Sequence, residues 1–301
     1  MNELLKSTHK LFLGFRSSDC NLLLRENTIK FFKKITEANC DSEIYYIHVA
    51  ATSGASHLHK KMPATFFVDN ILMTINALEA CRLSGISRVI LILSTASYTS
   101  LIKNPKEDDL HSGPILTDEY GYGYAKRMFE VLMRSYNAQY EMHISCVLVN
   151  GIIGANMNFD ENVSLLTPSL IKRFYEQRLD SEPIEIWGDG TPMREFTSAR
   201  DLAKALLWCV RNQEVNTLLN IGNTEKVSVK ELAVKIANKM NIDVERLYFD
   251  GRKNTGKFEQ TTNNKEFIRL SGFKYSNLDL ALDEAINFYI ESNDAIENNS
   301  L

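Results

Sequence analysis

The sequence of 301 residues predicts an α/β protein organised around a doubly wound parallel sheet. Three apolar runs, at 44–51, 89–93 and 144–149, are continuous rather than alternating. Continuous runs are typical of parallel strands that helices cover on both faces. Amphipathic helical patterns lie between the runs, and this alternation of strand and helix predicts the fold class.

The helical patterns flank the second apolar run. Apolar residues recur at helical spacing in two stretches, which are Ile71, Ile75, Leu78 and Cys81, and then Ala125, Met128, Leu132 and Tyr136. Gly85 follows the first stretch, where a glycine favours the end of a helix. Further on, Ser228 and Glu231 have the spacing of a capping box, which predicts a helix that begins there.

The pattern changes near residue 155. Beyond it, polar loops, the Pro183 and Pro192 turns and short strands alternate with single helices. We therefore expect a first domain at 1–155 and a smaller α/β lobe at 156–292, with part of 195–225 returning to the main sheet. Residues 293–301 are expected to form a disordered tail.

The composition excludes several classes of protein. The chain has 34 basic and 38 acidic side chains and a net charge of −4, so we expect neither a nucleic-acid partner nor a membrane surface. It has no signal-peptide pattern and no apolar run near the ~20 residues that cross a bilayer. The five cysteines form no C-x-x-C pair, and the histidines lack metal-ligand spacing. We therefore expect a cytoplasmic protein without a metal site.

One spacing points to proton transfer. Tyr122 and Lys126 lie four residues apart at the start of a predicted helix, and therefore share one face. A lysine ammonium there would lower the pKa of the phenol, which could then pass a proton to a carbonyl during hydride transfer. Ser94 ends the run at 89–93, at the edge of a parallel sheet where ligands bind. About one Tyr–Lys pair at this spacing is expected by chance, so a solvated helix start is the alternative interpretation.

A strand that ends in serine, followed by Tyr-x-x-x-Lys, resembles the short-chain dehydrogenase/reductase superfamily. Further stretches resemble its extended branch, the NAD-dependent epimerase/dehydratases, and within it the GDP-L-fucose synthase family. They are Ile47-His48-Val49-Ala50-Ala51, 121–128, 156–159, 168–174, and Trp187-Gly188-Asp189-Gly190 with the residues to Phe196. The resemblance covers roughly residues 10–290. It implies a NADPH-dependent 3,5-epimerase and 4-reductase acting on a GDP-4-keto sugar.

The resemblance also implies roles for particular residues. Ser94, Tyr122 and Lys126 would be catalytic. The family's cofactor is NADP(H), expected beside Ala50, Ala51, Asn70, Tyr122 and Lys126 in a Rossmann-like domain. A GDP-sugar would meet Arg173, Trp187 and Arg194, although Arg173 could equally be a solvated helix charge and Trp187 a core residue. Helices at 68–83 and 124–137 would form the helix bundle of a homodimer.

The family's phosphate-binding turn is missing from the sequence. Such proteins begin with a strand and a G-x-x-G-x-x-G turn that holds the cofactor pyrophosphate. Here Leu11-Phe12-Leu13 resembles the family's second strand, and about 30 residues of its first β-α unit are missing. Gly151-Ile152-Ile153-Gly154 lies too late to substitute. We therefore expect a sheet that is interrupted or remodelled near residues 1–20, where Met1–Lys10 could fill the gap.

Two further departures affect the epimerase chemistry. At the positions of the family's cysteine and histidine acid/base pair, this chain has Ala96 and Leu165, which cannot exchange protons. Three interpretations remain open. The protein could be a 4-keto reductase without epimerase activity, or a non-catalytic homologue that binds a GDP-sugar or pairs with an active paralogue. It could also be a truncated gene product.

Overall fold

The computed structural model describes residues 13–160, 163–212, 218–252 and 259–299. In chain order, the strands are β1 (Tyr45–His48), β2 (Arg88–Ser94), β3 (His143–Val149), β4 (Gly151–Ile153), β5 (Ile184–Trp187), β6 (Met193–Ser198), β7 (Leu218–Ile221), β8 (Lys226–Ser228), β9 (Leu247–Asp250) and β10 (Glu259–Gln260). The helices are α1 (Arg25–Ala38), α2 (Ser56–Lys61), α3 (Pro63–Leu83), α4 (Tyr120–Tyr140), α5 (Leu166–Glu176), α6 (Ala199–Arg211), α7 (Val229–Lys239), α8 (Lys265–Ser271) and α9 (Leu278–Asn299).

The main sheet is parallel throughout, in the order β1-β2-β3-β7. Its three N-terminal strands are the three apolar runs of the sequence, so the predicted α/β class is confirmed. Val89, Ile90 and Leu91 are completely buried, which explains why the run is continuous. Ser94 pairs with Val149, so the carboxyl ends of β2 and β3 lie side by side.

Within the described residues, β1 pairs only with β2, and residues 13–24 contain no strand. Leu13 is exposed and lies outside the sheet. The interruption expected near residues 1–20 stays a prediction, because most of that segment lies outside the described residues. Leu11, Phe12 and the Met1–Lys10 stretch lie outside the described residues.

Helices α3 and α4 lie side by side against the sheet. Pro63 is at the first turn of α3, where its missing N–H costs no hydrogen bond, and Gly85 follows the last turn at φ +74°. The Tyr136 hydroxyl of α4 donates to Glu79 of α3 over 3.0 Å. No helix of the described segments is long and apolar enough to cross a membrane.

The second lobe is built on β6. The strands β10, β6 and β4 are parallel, β8 joins β6 antiparallel, and β5 pairs with β9. The predicted capping box at the start of α7 is confirmed, because Glu231 N–H donates to Ser228 Oγ and Ser228 N–H donates to Glu231 Oε2. Helix α9 continues to Asn299, past the start of the expected disordered tail. The Tyr175 hydroxyl donates to Asp294 and holds the helix there.

A buried polar network joins the second lobe to the main sheet. Glu195 of β6 is 2% exposed, and its Oε2 accepts hydrogen bonds from Thr262 N–H at 2.9 Å and from Asn150 Nδ2 at 3.3 Å. Asn150 directly follows β3 and accepts a hydrogen bond from Thr197 Oγ1. Burial raises the pKa of Glu195 to about 7, so near neutral pH this carboxyl is partly protonated in the folded chain.

The raised pKa predicts a pH-dependent stability. Because the folded state holds the Glu195 proton more tightly than the unfolded state, the contribution of this group is fully present below pH 4.5 and is lost as the pH rises through about 7. We expect the free energy of unfolding to fall by on the order of 2 kcal/mol over this interval, relative to Glu195→Gln. Urea denaturation at pH 5 and pH 8 measures the difference. Glu225→Gln, at an exposed position, should behave like the unchanged protein.

Candidate active site

The candidate site begins at the carboxyl end of β2. The strand passes at Ser94 into a 3₁₀ turn, Thr95–Ser97, and Ala96 N–H donates to Ser94 Oγ over 3.3 Å. The Ser94 side chain also makes a hydrogen bond with the phenol of Tyr122. The structure therefore brings together the serine and tyrosine that the sequence identifies.

Two glycines allow this contact. A Cβ at Gly123 would lie 2.6 Å from the carbonyl oxygen of Ala96, and one at Gly121 would overlap the carbonyl oxygen of Pro63. Both clashes involve backbone atoms, which cannot swing away as a side chain can. The Gly-Tyr-Gly sequence therefore lets α4 lie directly on the turn after β2, with Tyr122 between the two points of contact.

The Lys126 ammonium lies 5.9 Å from the centre of the Tyr122 ring, and its hydrogen bond goes to the backbone. Its Nζ donates to the carbonyl oxygen of Ile92 over 3.0 Å and lies 4.5 Å from the centre of the Phe129 ring. The side chain is 3% exposed, and burial lowers the pKa of Lys126 to about 7. Burial raises the pKa of Tyr122 to about 12, opposite to the expected direction, because desolvation outweighs the hydrogen bond from Ser94.

Helix α2 packs a histidine against the candidate tyrosine. The sequence analysis gave His59 no role, but its ring stacks on Phe66 at 4.4 Å and meets the Tyr122 ring edge-on at 5.1 Å. His59 Nε2 donates to Gly54 O over 3.0 Å, which leaves Nδ1 as an acceptor. Lys60, the next residue, pairs with Asp118 at 2.9 Å. Helix α2 is therefore fastened to the segment that leads into α4.

Glu119 is a second residue of the site that sequence reasoning missed. Its carboxylate acts electrostatically on Tyr122, on His59 and on Arg194, and so contributes negative charge where three elements meet. For Tyr122 this charge raises the pKa further, since a phenolate beside a carboxylate is disfavoured. Glu119 directly precedes α4 and lies three residues before Tyr122. This spacing is the signal that could have identified it.

The residues expected to hold NADP(H) lie in and beside the loop that follows β1. Ala50 and Ala51 follow β1 at the edge of the sheet, half-buried and exposed respectively. Asn70 is completely buried; its Nδ2 donates to Thr52 O and Phe66 O, and so braces the loop after β1.

The described residues offer no cradle for the pyrophosphate. The Gly-x-x-Gly at 151–154 forms β4, where a Cβ on Gly151 would meet Phe196 at 2.8 Å and one on Gly154 would meet Ala199 at 2.9 Å. These glycines therefore serve the packing of β4 against its neighbours. The described part of the chain does not fit a whole dinucleotide.

Two of the three predicted substrate residues lie together. The Arg173 guanidinium of α5 is 5.9 Å from the centre of the Trp187 ring, and its Nη1 donates to Glu185 O. Trp187 is 57% exposed, so it is not a core residue. Arg194 lies apart from them, next to Gln260 in the β6–β10 register, where Gln260 Nε2 donates to Thr95 Oγ1 over 2.7 Å. The Nη1 of Arg194 donates to the backbone oxygen of Met193 over 2.8 Å.

The two positions of the missing acid/base pair differ in exposure. Ala96 is 4% exposed in the turn after β2, whereas Leu165 is 60% exposed immediately before α5. Neither side chain carries a proton that can be exchanged. The site therefore has hydroxyl groups that can hydrogen-bond a carbonyl oxygen. At Ala96 and Leu165 it has no acid/base pair that could act on the carbons next to that carbonyl.

This fold and site define a member of an oxidoreductase and epimerase class that is built on a parallel sheet with a Ser–Tyr–Lys constellation. The chain belongs to the NAD dependent epimerase/dehydratase family, whose sequence profile matches residues 5–222.

Several relatives of the chain are named GDP-L-fucose synthases. That of Dictyostelium discoideum is 29% identical over 289 residues, covering 95% of this chain and 88% of the relative. That of Escherichia coli K12 is 27% identical over 256 residues, with 81% and 79% covered. A GDP-L-fucose synthetase from Naegleria fowleri, solved bound to NADP, superposes with a TM-score of 0.83 at 25% identity, over 97% of this chain and 90% of that one. The recognition of the family from sequence is confirmed, and these relatives modify nucleotide-sugars.

The packing of His59 predicts a measurable contribution to stability. His59→Ala removes the stack on Phe66 and the contact with Tyr122, so we expect the free energy of unfolding to fall by about 1–3 kcal/mol. His59→Phe keeps the stack and loses only the hydrogen bond to Gly54, so its loss should be smaller. Guanidinium denaturation compares the two with His57→Ala, an exposed histidine of the same helix. Equal stability of the two alanine variants would contradict the packing role.

Proposed function

We propose that the protein binds a GDP-sugar between the carboxyl edge of the main sheet and the second lobe, and that it does so as a non-catalytic homologue. The observation that carries this proposal is the exposed Trp187 ring with the Arg173 guanidinium beside it. An exposed indole offers a face on which a purine can stack. A planar guanidinium next to it can bond two oxygens of a diphosphate.

The sugar end of such a ligand would lie toward Ser94 and Tyr122. Both carry hydroxyls that can donate to a keto oxygen, and their mutual hydrogen bond holds them at one place. Burial lowers the pKa of Arg194, and the charge of Glu119 acts in the opposite direction. Arg194 would lie between the purine end and the sugar end of the ligand. Epimerisation is not expected, since Ala96 and Leu165 supply no proton acceptor or donor.

A 4-keto reductase is the second candidate, and the Ser94–Tyr122 hydrogen bond favours it. NADP(H) would supply the hydride in that reaction, while Tyr122 would give its phenolic proton to the keto oxygen and Ser94 would orient that oxygen. The burial of Lys126 against Ile92 O weighs against this candidate, because the ammonium faces backbone rather than a ribose.

The outer faces of α3 and α4 support association with a second chain. Phe67, Val68 and Leu72 of α3 and Val131 of α4 are between 38% and 46% exposed. We propose a homodimer through these helices, with an active paralogue as the alternative partner. The buried, unpaired thiols of Cys20, Cys81, Cys146 and Cys209 support a reducing compartment, the cytoplasm.

Binding of GDP-mannose tests the proposal directly. In a Trp208→Phe background, the Trp187 fluorescence should change saturably with GDP-mannose. Arg173→Ala should weaken binding about 10- to 100-fold, as expected for a lost charged pair with the diphosphate. The matched control is Arg178→Ala, an exposed arginine just beyond the same helix that lies on Tyr175. No binding of GDP or GDP-mannose at millimolar concentration would overturn the proposal.

Titration with NADPH separates the two candidates. For the non-catalytic homologue we expect no saturable change in NADPH fluorescence below about 1 mM, because the described residues provide no pyrophosphate cradle. Micromolar binding, followed by NADPH oxidation when a GDP-4-keto sugar is added, would establish the reductase. In that case Tyr122→Phe should abolish the oxidation while leaving GDP-mannose binding unchanged.

A further inference from the structure

A buried arginine, Arg127, follows Lys126 on α4. Arg127 is 4% exposed. Its Nε donates to Ser97 O over 2.9 Å, and its Nη1 donates to Gly113 O over 2.8 Å. It therefore ties the loop between β2 and α4 to the helix at two points, Ser97 and Gly113.

The third nitrogen of this guanidinium makes no hydrogen bond within the described residues. Arg127 Nη2 is buried, and so is Ser97 Oγ, which also has no hydrogen-bond partner in the described part of the chain. Ser97 itself is completely buried. The bond from Nε to the carbonyl oxygen of Ser97 brings the guanidinium beside the residue that carries this hydroxyl.

The charge of Arg127 is also uncompensated by any carboxylate in contact with it within the described residues. Its neighbours are two backbone carbonyls and the ring of Tyr124, whose centre is 5.2 Å from the guanidinium carbon. Glu130, one turn along the same helix, is engaged by His111 and Arg134. A buried cation without a counter-charge is strongly unfavourable.

We propose that Arg127 and Ser97 form a binding site for a small monovalent inorganic anion, with chloride as the physiological occupant. An N–H and an O–H that lack acceptors both require a ligand that accepts hydrogen bonds, and an anion also supplies the missing negative charge. A water could accept from both groups but would leave the charge uncompensated. The enclosure of both residues excludes a nucleotide or other large anion.

The site would fix the turn that carries the candidate serine. Ser97 ends the Thr95–Ser97 turn, and Arg127 lies on the helix that carries Tyr122. An anion between them would fasten this turn to α4 next to the Ser94–Tyr122 hydrogen bond. The inference does not depend on the proposed function, since it concerns the packing of the loop whether or not a nucleotide-sugar binds.

Thermal unfolding of the full chain tests the site without any activity. At constant ionic strength, replacing sodium gluconate by sodium chloride should raise the Tm by about 2 °C or more, with saturation at high chloride. Arg127→Met, which keeps most of the side-chain volume, should abolish the chloride dependence. If that variant does not fold, Ser97→Ala should shift the dependence to higher chloride. Arg134→Met, an exposed arginine two turns along α4, should retain it.

A crystal grown in sodium bromide provides the second measurement. We expect an anomalous peak beside Arg127 Nη2 and Ser97 Oγ. An electron-density peak at that place without anomalous signal would identify a water molecule and overturn the proposal. Identical Tm values of the unchanged protein in chloride and gluconate would overturn it as well.

Discussion

The close approach of α4 to the turn after β2 is the constraint on which the candidate site depends. It is possible only because Gly121 and Gly123 have no Cβ, since either side chain would meet the backbone of Pro63 or Ala96. A shift of α4 by the thickness of one methyl group would break the contact between Ser94 and Tyr122. It would also pull Lys126 away from Ile92 and Arg127 away from Ser97. Three polar contacts therefore follow from one packing distance.

The second lobe is held to this core by a different kind of interaction. Glu195, Asn150 and Thr262 join β6, the end of β3 and the segment after β10 through hydrogen bonds in a dry environment. Gln260 of β10 adds a hydrogen bond to Thr95, in the turn that follows β2. The site that we propose for a nucleotide-sugar lies between these links and the surface of Arg173 and Trp187. The strength of the links changes with the protonation of Glu195.

The sequence predicts the fold well where one physical signal dominates. The apolar runs identify β1, β2 and β3 because burial on both faces leaves no room for polar residues, and the Ser228–Glu231 spacing identifies the start of α7. Tyr122 and Ser94 could be paired from sequence because strand ends and helix starts meet at one edge of a parallel sheet. The family resemblance implied that Arg173 and Trp187 each meet a GDP-sugar, and the structure places the guanidinium 5.9 Å from the centre of the indole ring.

Other parts of the site depend on distances that no local pattern records. The role of Lys126 was predicted from its spacing to Tyr122, but its direction is set by burial against Phe129 and by the carbonyl of Ile92. His59 received no role from the sequence because α2 has only six residues, too few to show a helical period. Glu119 and Arg127 were missed because their surroundings come from the long loop between β2 and α4, whose path is decided by tertiary contacts.

The glycines of α4 have an evolutionary consequence. Because they are required by the backbone of Pro63 and Ala96, selection for a folded chain alone would keep them in place. The tyrosine between them is enclosed by the same contacts, so it too is costly to replace. The Gly-Tyr-Gly signature therefore reports an architectural joint, and a descendant that had stopped turning over any substrate would still carry it.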